Sequence, residues 1–103
     1  MNDLRLVLRG KWFKMTNPDE KTEDYREITP YWIKRLTVTQ KDKGFVFKKF
    51  DNNIITLGYP KSTDKSRIKK YKHAGIEIRT GKPEWGAEPG KLYFVIKHGE
   101  EVM

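Results

Sequence analysis

The chain has 103 residues, of which 36% are hydrophobic, and this is enough for one compact domain and too little for two. It carries 22 lysine and arginine residues against 14 aspartate and glutamate residues, so its formal charge is +8 and a polyanion is the first partner to consider. Its lack of cysteine excludes disulfides and thiol catalysis, and no apolar run approaches the about 20 residues of a membrane-spanning helix.

The start of the chain predicts a strand followed by a helix. Leucine at every second position from 4 to 8 is typical of a half-buried strand, which Gly10 closes. From Lys11 to Thr16 the apolar residues lie three apart, which predicts a short helix with one apolar face. The breaker Asn17-Pro18-Asp19 ends that helix.

A second strand and a second helix are predicted next. The charged stretch 22–28 predicts a strand in which Tyr25 turns inward. Pro30 suits the first position of a helix, and Thr29 suits its cap. The apolar residues between 32 and 36 form a stripe that predicts the buried side of this helix.

The rest of the chain predicts strands without intervening helices. Short β-branched or aromatic segments, each bounded by turn-forming residues, lie at 44–47, 54–57, 73–78 and 92–97. The turn signal at 51–53 predicts a hairpin over 45–59. Five or six strands with two short helices predict an α+β fold, residues 1–103 forming one domain whose sheet curls into a small open β-barrel.

The positive charge is concentrated in the middle of the chain. Residues 41–79 hold eleven basic and four acidic residues, which is +7 of the total +8. The densest part contains Lys61, Lys65, Arg67, Lys69, Lys70 and Lys72. This pattern is compatible with a solvated surface that keeps the protein soluble and with a surface that contacts phosphates, and both interpretations stay open.

Several catalytic and cofactor classes have no support in the sequence. Two isolated histidines, His73 and His98, do not have metal-ligand spacing, so no metal is predicted. No serine lies in a G-x-S-x-G context, and no glycine-rich phosphate loop is present, so no nucleotide cofactor is predicted either.

The segment 19–27 mixes charges of both signs at the entrance to a predicted strand. Asp24 and Arg26 share one face of that strand, where their charges can pair, and Lys21 reaches the same place. A partly desolvated lysine loses its proton more readily and can act as a general base, whereas neighbouring acids keep it charged. A solvated strand edge with weak ion pairs is the alternative interpretation.

Two aromatic residues are candidates for stacking on a base. Trp85 lies in the loop 81–90, which has no apolar periodicity, so its indole either plugs the barrel end or stacks on a ligand. Tyr25, on the strand of mixed charge, is the second candidate, and a half-buried structural tyrosine is the alternative. Trp12 and Trp32 lie at helical positions among apolar neighbours, which favours core packing.

The stretch D-E-K-T-E-D-Y-R resembles the G-x-K-x-x-E-x-R signature of the ASCH domain, a PUA-like β-barrel family associated with RNA. Lys21 and Arg26 match the signature. Asp24 stands in for its glutamate, and Asp19 stands in for its glycine. The resemblance implies a small PUA-like open β-barrel.

The resemblance extends to both ends of the chain. The opening L-R-L-V-L-R-G-K-W-F and the tail G-K-P-E-W-G-A-E-P-G-K-L-Y-F-V-I-K look like a phage and bacterial subgroup of small ASCH-like proteins. The tail is also similar to that of ASCH enzymes that hydrolyse the amide of 4-acetylcytidine with a lysine, a threonine and a glutamate. Lys21 matches the lysine and Asp24 occupies the threonine's place, while Glu77 and Glu84 are candidates for the glutamate.

These observations lead to one functional prediction and two alternatives. We expect a cytoplasmic, monomeric protein that binds RNA or a modified nucleoside at Lys21, Asp24, Arg26 and Trp85, with the lysines and arginine of 61–72 along the phosphates. In the first alternative, the protein is an enzyme that uses the same pocket, either as an amidohydrolase of 4-acetylcytidine or as a ribonuclease. The second is a phage-type interaction module whose basic face holds an acidic protein.

Overall fold

The computed structural model describes residues 2–17, 20–42 and 44–102. Within these ranges the elements follow the chain in the order β1 (Asp3–Leu8), α1 (Gly10–Met15), β2 (Glu23–Glu27), α2 (Pro30–Leu36), β3 (Thr37–Gln40), β4 (Gly44–Phe47), β5 (Asn52–Leu57), β6 (Ile68–Thr80) and β7 (Leu92–Glu101). Short 3₁₀ turns occupy Lys65–Arg67 and Pro83–Trp85. Neither α1 nor α2 is long and apolar enough to cross a membrane, and these are the α-helices of the described residues.

Five strands form a curled sheet in the order β1-β5-β6-β7-β2, and β3 and β4 form a separate two-stranded ribbon. Strand β1 pairs with β5 in parallel, whereas the other neighbours in the main sheet are antiparallel. The register of β6 with β7 shifts twice between Tyr71 and Ile76. Gly75, with φ of +113°, lies in this irregular part, where a side chain would be strained. The α+β prediction with a curled, barrel-like sheet is therefore confirmed at this level.

The core lies on the concave face of the main sheet. The alternation in β1 buries its three leucines, and Ile55 of β5 lies beside them with no exposed surface. Phe94 and Ile96 of β7 continue this apolar face on the other side of β6. The alternating sequence of β1 thus places its leucines on the buried face of the sheet and the residues between them on the outer face.

Both predicted helices are present, although α1 begins at Gly10 and ends at Met15, one residue earlier at each end than predicted. The Thr29 side chain accepts a hydrogen bond from the Trp32 backbone N–H, and Pro30 occupies the first turn of α2. Leu36 is the buried residue of α2, and Phe13 is the buried residue of α1. Trp12 and Trp32 pack partly buried against the core, as predicted.

The predicted hairpin over 45–59 is wrong. Strand β4 pairs with β3, and β5 pairs with β1 and β6. Strand β3 was not predicted from the sequence. Asn52 and Asn53 begin β5 instead of forming a turn. Residues 51–53 have polar side chains because they bind across the fold: the Asp51 carboxylate accepts a hydrogen bond from the Asn2 backbone, and the buried Asn53 amide takes part in the polar network described below.

Two isoleucines offer a matched test of this core. Ile55→Ala should lower the free energy of unfolding by about 2–5 kcal/mol, because Ile55 is fully buried and its truncation leaves a cavity. Ile78→Ala should change it by less than about 1 kcal/mol, because half of Ile78 is solvent-exposed. Urea unfolding of the two variants measures the difference, and equal losses would contradict the difference in burial between Ile55 and Ile78.

Candidate functional site

Lys21 and Asp24 meet inside the protein. Backbone hydrogen bonds from the Lys21 N–H to the Met15 carbonyl and from the Asn17 N–H to the Lys21 carbonyl hold Lys21 next to the end of α1. Its ammonium contacts Oδ1 of Asp24, the second residue of β2. Lys21 is 1% exposed and Asp24 2%. Lys21 is thus almost completely removed from solvent, which excludes the solvated strand edge that was the alternative interpretation for this residue.

A chain of polar side chains continues from Asp24 across the inner face of the sheet. Its other oxygen, Oδ2, lies 2.6 Å from Nε2 of His98 on β7. Nδ1 of His98 lies 2.8 Å from the side-chain nitrogen of Asn53 on β5. The Asn53 oxygen lies 2.7 Å from Nδ1 of His73 on β6. Four strands of the sheet are thus joined through one polar network.

The network fixes the tautomers of both histidines. The Asn53 amide nitrogen also donates to the Lys97 carbonyl at 3.1 Å, so a reversed amide would place two acceptors together. Because this nitrogen donates to Nδ1 of His98, the ring proton of a neutral His98 lies on Nε2 and points at Asp24. His73 correspondingly donates its Nδ1 proton to Asn53.

Burial and charge act oppositely on the two ionised groups. Burial lowers the pKa of Lys21, and the attraction of Asp24 opposes this effect without cancelling it. Burial alone would raise the pKa of Asp24, but the hydrogen bond from His98 and the charge of Lys21 outweigh it and lower that pKa to about 2. Asp24 is therefore a carboxylate throughout the neutral range.

The space around Lys21 is small. Lys21 and His98 line a cavity of about 10 Å³ together with Thr22, Tyr71 and Gly99, among others. A volume of this size holds about one water molecule. The described geometry therefore leaves no room for a nucleoside beside Lys21.

Arg26 does not join this pocket. Its guanidinium donates to the Tyr25 and Val7 carbonyls, at 2.9 and 3.1 Å, and lies over the Trp32 ring at 5.3 Å from the centroid. Asp24 instead uses its two oxygens for Lys21 and His98. The expected pairing of Asp24 with Arg26 is therefore wrong, because two backbone carbonyls and an indole face satisfy the guanidinium elsewhere.

Glu77 lies on the opposite face of the sheet from Asp24. Its carboxylate contacts Nε of Arg79 at 2.7 Å, and Arg79 also pairs with Glu23. Strand register places Glu77 beside Val95, whereas Asp24 lies beside Ile96, and consecutive residues point to opposite faces. The structure therefore does not bring Glu77 to Lys21. Glu84 is exposed in the 3₁₀ turn, and Asp19 lies outside the described residues.

The two candidate stacking residues have structural contacts. The Tyr25 hydroxyl donates to Glu23 at 2.7 Å and accepts from the Lys82 backbone N–H at 2.9 Å, which fastens the loop 81–90 to β2. Gly81 fits there because a Cβ would lie 2.7 Å from the Tyr25 ring. Trp85 is half-buried, with the Lys82 ammonium 4.3 Å from its ring centroid.

The basic residues of the central segment divide into two groups. Lys69 donates to the Phe13 and Thr16 carbonyls at 2.6 and 2.8 Å, so it caps the end of α1. Lys72 pairs with Glu100 at 3.0 Å. The remaining four are the exposed Lys61, Lys65 and Arg67 and the half-buried Lys70.

Two larger depressions were not foreseen in the sequence. An apolar groove of about 350 Å³ lies between α2, the β3–β4 ribbon and the end of β6, with Ile33, Phe45 and Ile78 among its walls. A second groove of about 260 Å³ lies between β1, α2 and the loop after β5. Its walls come from residues far apart in the chain, so no local sequence signal reports it.

No protein family matches the chain, and neither does a curated protein or a solved structure. Within residues 2–17, 20–42 and 44–102, no group of three histidine, aspartate or glutamate side chains is placed to hold a metal ion. The case for function therefore depends on the geometry described here.

The polar network predicts an acid-sensitive stability. Burial lowers the pKa of His73 below its usual 6.5, and the neighbouring His98 lowers it further. Between the lowered value and 6.5 the unfolded chain binds more protons than the folded chain, so the free energy of unfolding should fall as the pH falls through this range. His73→Gln, which keeps a donor for Asn53, should reduce this pH dependence in urea titrations at about pH 7.5 and about pH 5.5. An unchanged pH dependence would show that His73 does not cause it.

Proposed function

We propose that this chain is an RNA-binding protein of the ASCH type, with a PUA-like open β-barrel. The signature residues Lys21 and Asp24 support the family proposal because they are in contact and buried. A separate observation carries the phosphate-binding part of the proposal. Basic side chains are paired with acidic ones on one side of the molecule and are mostly unpaired on another.

Acidic and basic residues in and next to the strands β2, β6 and β7 neutralise one another on the outer face. Arg79 pairs with Glu23 and Glu77, and Lys91 pairs with Glu27 at 2.7 Å. Glu77 also lies 3.9 Å from the Lys97 ammonium. This side of the molecule therefore has little charge to offer a polyanion.

The excess positive charge lies on another surface, which we call the basic surface and define as Arg5, Lys61, Lys65, Arg67 and Lys70. Strand register places Arg5 and Lys70 on one face of the sheet, with Ile54 between them, and the other three occupy the loop that joins β5 to β6. Among the described residues, Arg67 is the one member of this surface with a carboxylate within 4 Å, namely that of the half-buried Asp64 at 3.5 Å. Such unneutralised cations attract phosphates and release counterions on binding.

Salt dependence tests the basic surface. For a labelled single-stranded RNA, the logarithm of the binding constant should fall by about 0.7 per neutralised phosphate for each tenfold rise in salt. Replacing Lys61, Lys65 and Arg67 together by alanine should reduce this slope by up to about 2, because three phosphate contacts are lost. Fluorescence polarisation at several salt concentrations measures the slope.

The matched control replaces three other exposed lysines, Lys14, Lys41 and Lys49, which removes the same charge outside the basic surface. This variant should keep most of the wild-type slope. Binding that does not respond to salt, or an equal loss in the control, would contradict the proposal.

Amide hydrolysis of 4-acetylcytidine is a second candidate function, and the buried Lys21 favours it. The pKa of Lys21 is lowered by burial, and its amine lines a cavity that holds about one water molecule. A neutral amine there can take a proton from water as the water oxygen bonds to the acetyl carbon, and the ammonium so formed can return that proton to the exocyclic nitrogen as its bond to the acetyl carbon breaks, which releases acetic acid and cytidine. The small cavity has to open before a nucleoside enters, so RNA binding remains the leading proposal.

Chromatographic detection of released cytidine tests this second candidate. Lys21→Met should abolish the release while Lys14→Met, at an exposed site of α1, should leave it unchanged. Thermal unfolding of both variants must show folded protein at the assay temperature. Full activity in folded Lys21→Met would place the reaction elsewhere or attribute it to a contaminant.

A further inference from the structure

The groove between β1, α2 and the loop after β5 combines exposed aromatic rings with arginines. Its walls are Arg5, Val7, Tyr31, Trp32, Arg35 and Tyr59, and its volume is about 260 Å³. We propose that this groove, which we call the tyrosine–arginine groove, binds one unpaired nucleotide of a single-stranded RNA. The inference deepens the RNA-binding function and rests on it for the rest of the strand.

The floor of the groove is held rigidly. Arg26 donates from β2 to the Val7 carbonyl of β1 and lies over Trp32 of α2, so one half-buried side chain joins three elements beneath the groove. The Gly58 backbone N–H donates to the Leu8 carbonyl at 3.3 Å, and Gly58 has φ of +65°. This turn brings Tyr59 to the mouth of the groove.

Two exposed tyrosine rings line the groove where a base would stack. Tyr59 is 93% exposed and Tyr31 60% exposed, and both line the same depression. Every nucleobase has a flat π face, and unstacked bases of single-stranded RNA bind to proteins by stacking on such rings. A duplex keeps its bases paired and stacked, so it cannot offer one to this groove.

The charges of the groove fit a phosphate. Arg35 lies over the Tyr31 and Trp32 rings at 5.7 and 5.1 Å and donates to the Tyr31 hydroxyl at 3.1 Å. Neither Arg35 nor Arg5 has a carboxylate within 4 Å among the described residues, and no acidic residue lines the groove. Guanidinium groups match phosphate oxygens in shape and charge.

The groove also continues into the basic surface. Arg5 belongs to both, and register places Arg5 and Lys70 two strand spacings apart, about 10 Å, on one sheet face. A strand with one base between the tyrosines can therefore place its next phosphates along β1, β5 and β6. The groove supplies preference for unpaired nucleotides, and the basic surface supplies affinity that does not depend on sequence.

Two RNA probes and a tyrosine series test this inference. A single-stranded ten-nucleotide uridine RNA should bind more tightly than an RNA duplex of equal length. Tyr59→Ala should weaken binding of the single strand by about 5- to 150-fold, which corresponds to about 1–3 kcal/mol of lost stacking. Tyr59→Phe, which keeps the ring, should bind as the wild type does. Duplex binding should be unchanged in both variants.

Phe45→Ala is the matched control, because Phe45 is 68% exposed but lies beside the other, apolar groove. It should leave single-strand binding unchanged. If Tyr59→Ala and Tyr31→Ala bind the single strand as tightly as the wild type does, the groove assignment is wrong while RNA binding stands.

A titration with millimolar 5′-UMP separates the failure of the groove from the failure of RNA binding. The nuclear magnetic resonance signals of the Val7 amide and the Trp32 indole should shift in the wild type and not in Tyr59→Ala. These shifts would support the groove even if no oligonucleotide bound at the basic surface. Their absence in the wild type would overturn the inference whatever the RNA result.

Discussion

The buried contact between Lys21 and Asp24 constrains everything on the inner face of the sheet. Removing two charges from water costs several kcal/mol per ion, and their attraction offsets this cost only when the remaining polar atoms also find partners. His98 supplies the partner for the second Asp24 oxygen, Asn53 orients His98, and His73 orients Asn53. The four strands that carry these residues must therefore keep their register for the ion pair to be tolerated.

This requirement explains the departures from a regular sheet. The irregular pairing of β6 with β7 lies where His73 faces His98, and Gly75 supplies a backbone conformation that other residues rarely adopt. Asn53 occupies a core position beside Leu4, where an apolar residue would pack as well but would leave both histidines without a partner. A buried polar network destabilises the fold when any of its members lacks a hydrogen-bond partner. Among the described residues, no buried side-chain nitrogen or oxygen atom lacks one.

The two faces of the sheet have separate chemical roles in the function proposed here. The inner face holds a closed polar network with room for about one water molecule, whereas the outer face near β1 presents arginines and open tyrosine rings. Arg26 links the two faces. It belongs to the same strand as Asp24, and its guanidinium lies beneath the groove, where it contacts the Val7 carbonyl and the Trp32 ring.

The sequence by itself determined the local structure and the general chemistry. Alternating leucines specify β1, Thr29 and Pro30 specify the start of α2, and the spacing of Lys21 and Asp24 brings them to one place, because all of these depend on neighbours within a few residues. The tertiary structure decided the partners. It paired β5 with a strand some fifty residues away instead of β4, and it brought His98 to Asp24 and Tyr59 to Arg5. Contacts between distant segments follow from how the whole sheet curls and buries its apolar face, and no local pattern of residues carries that information.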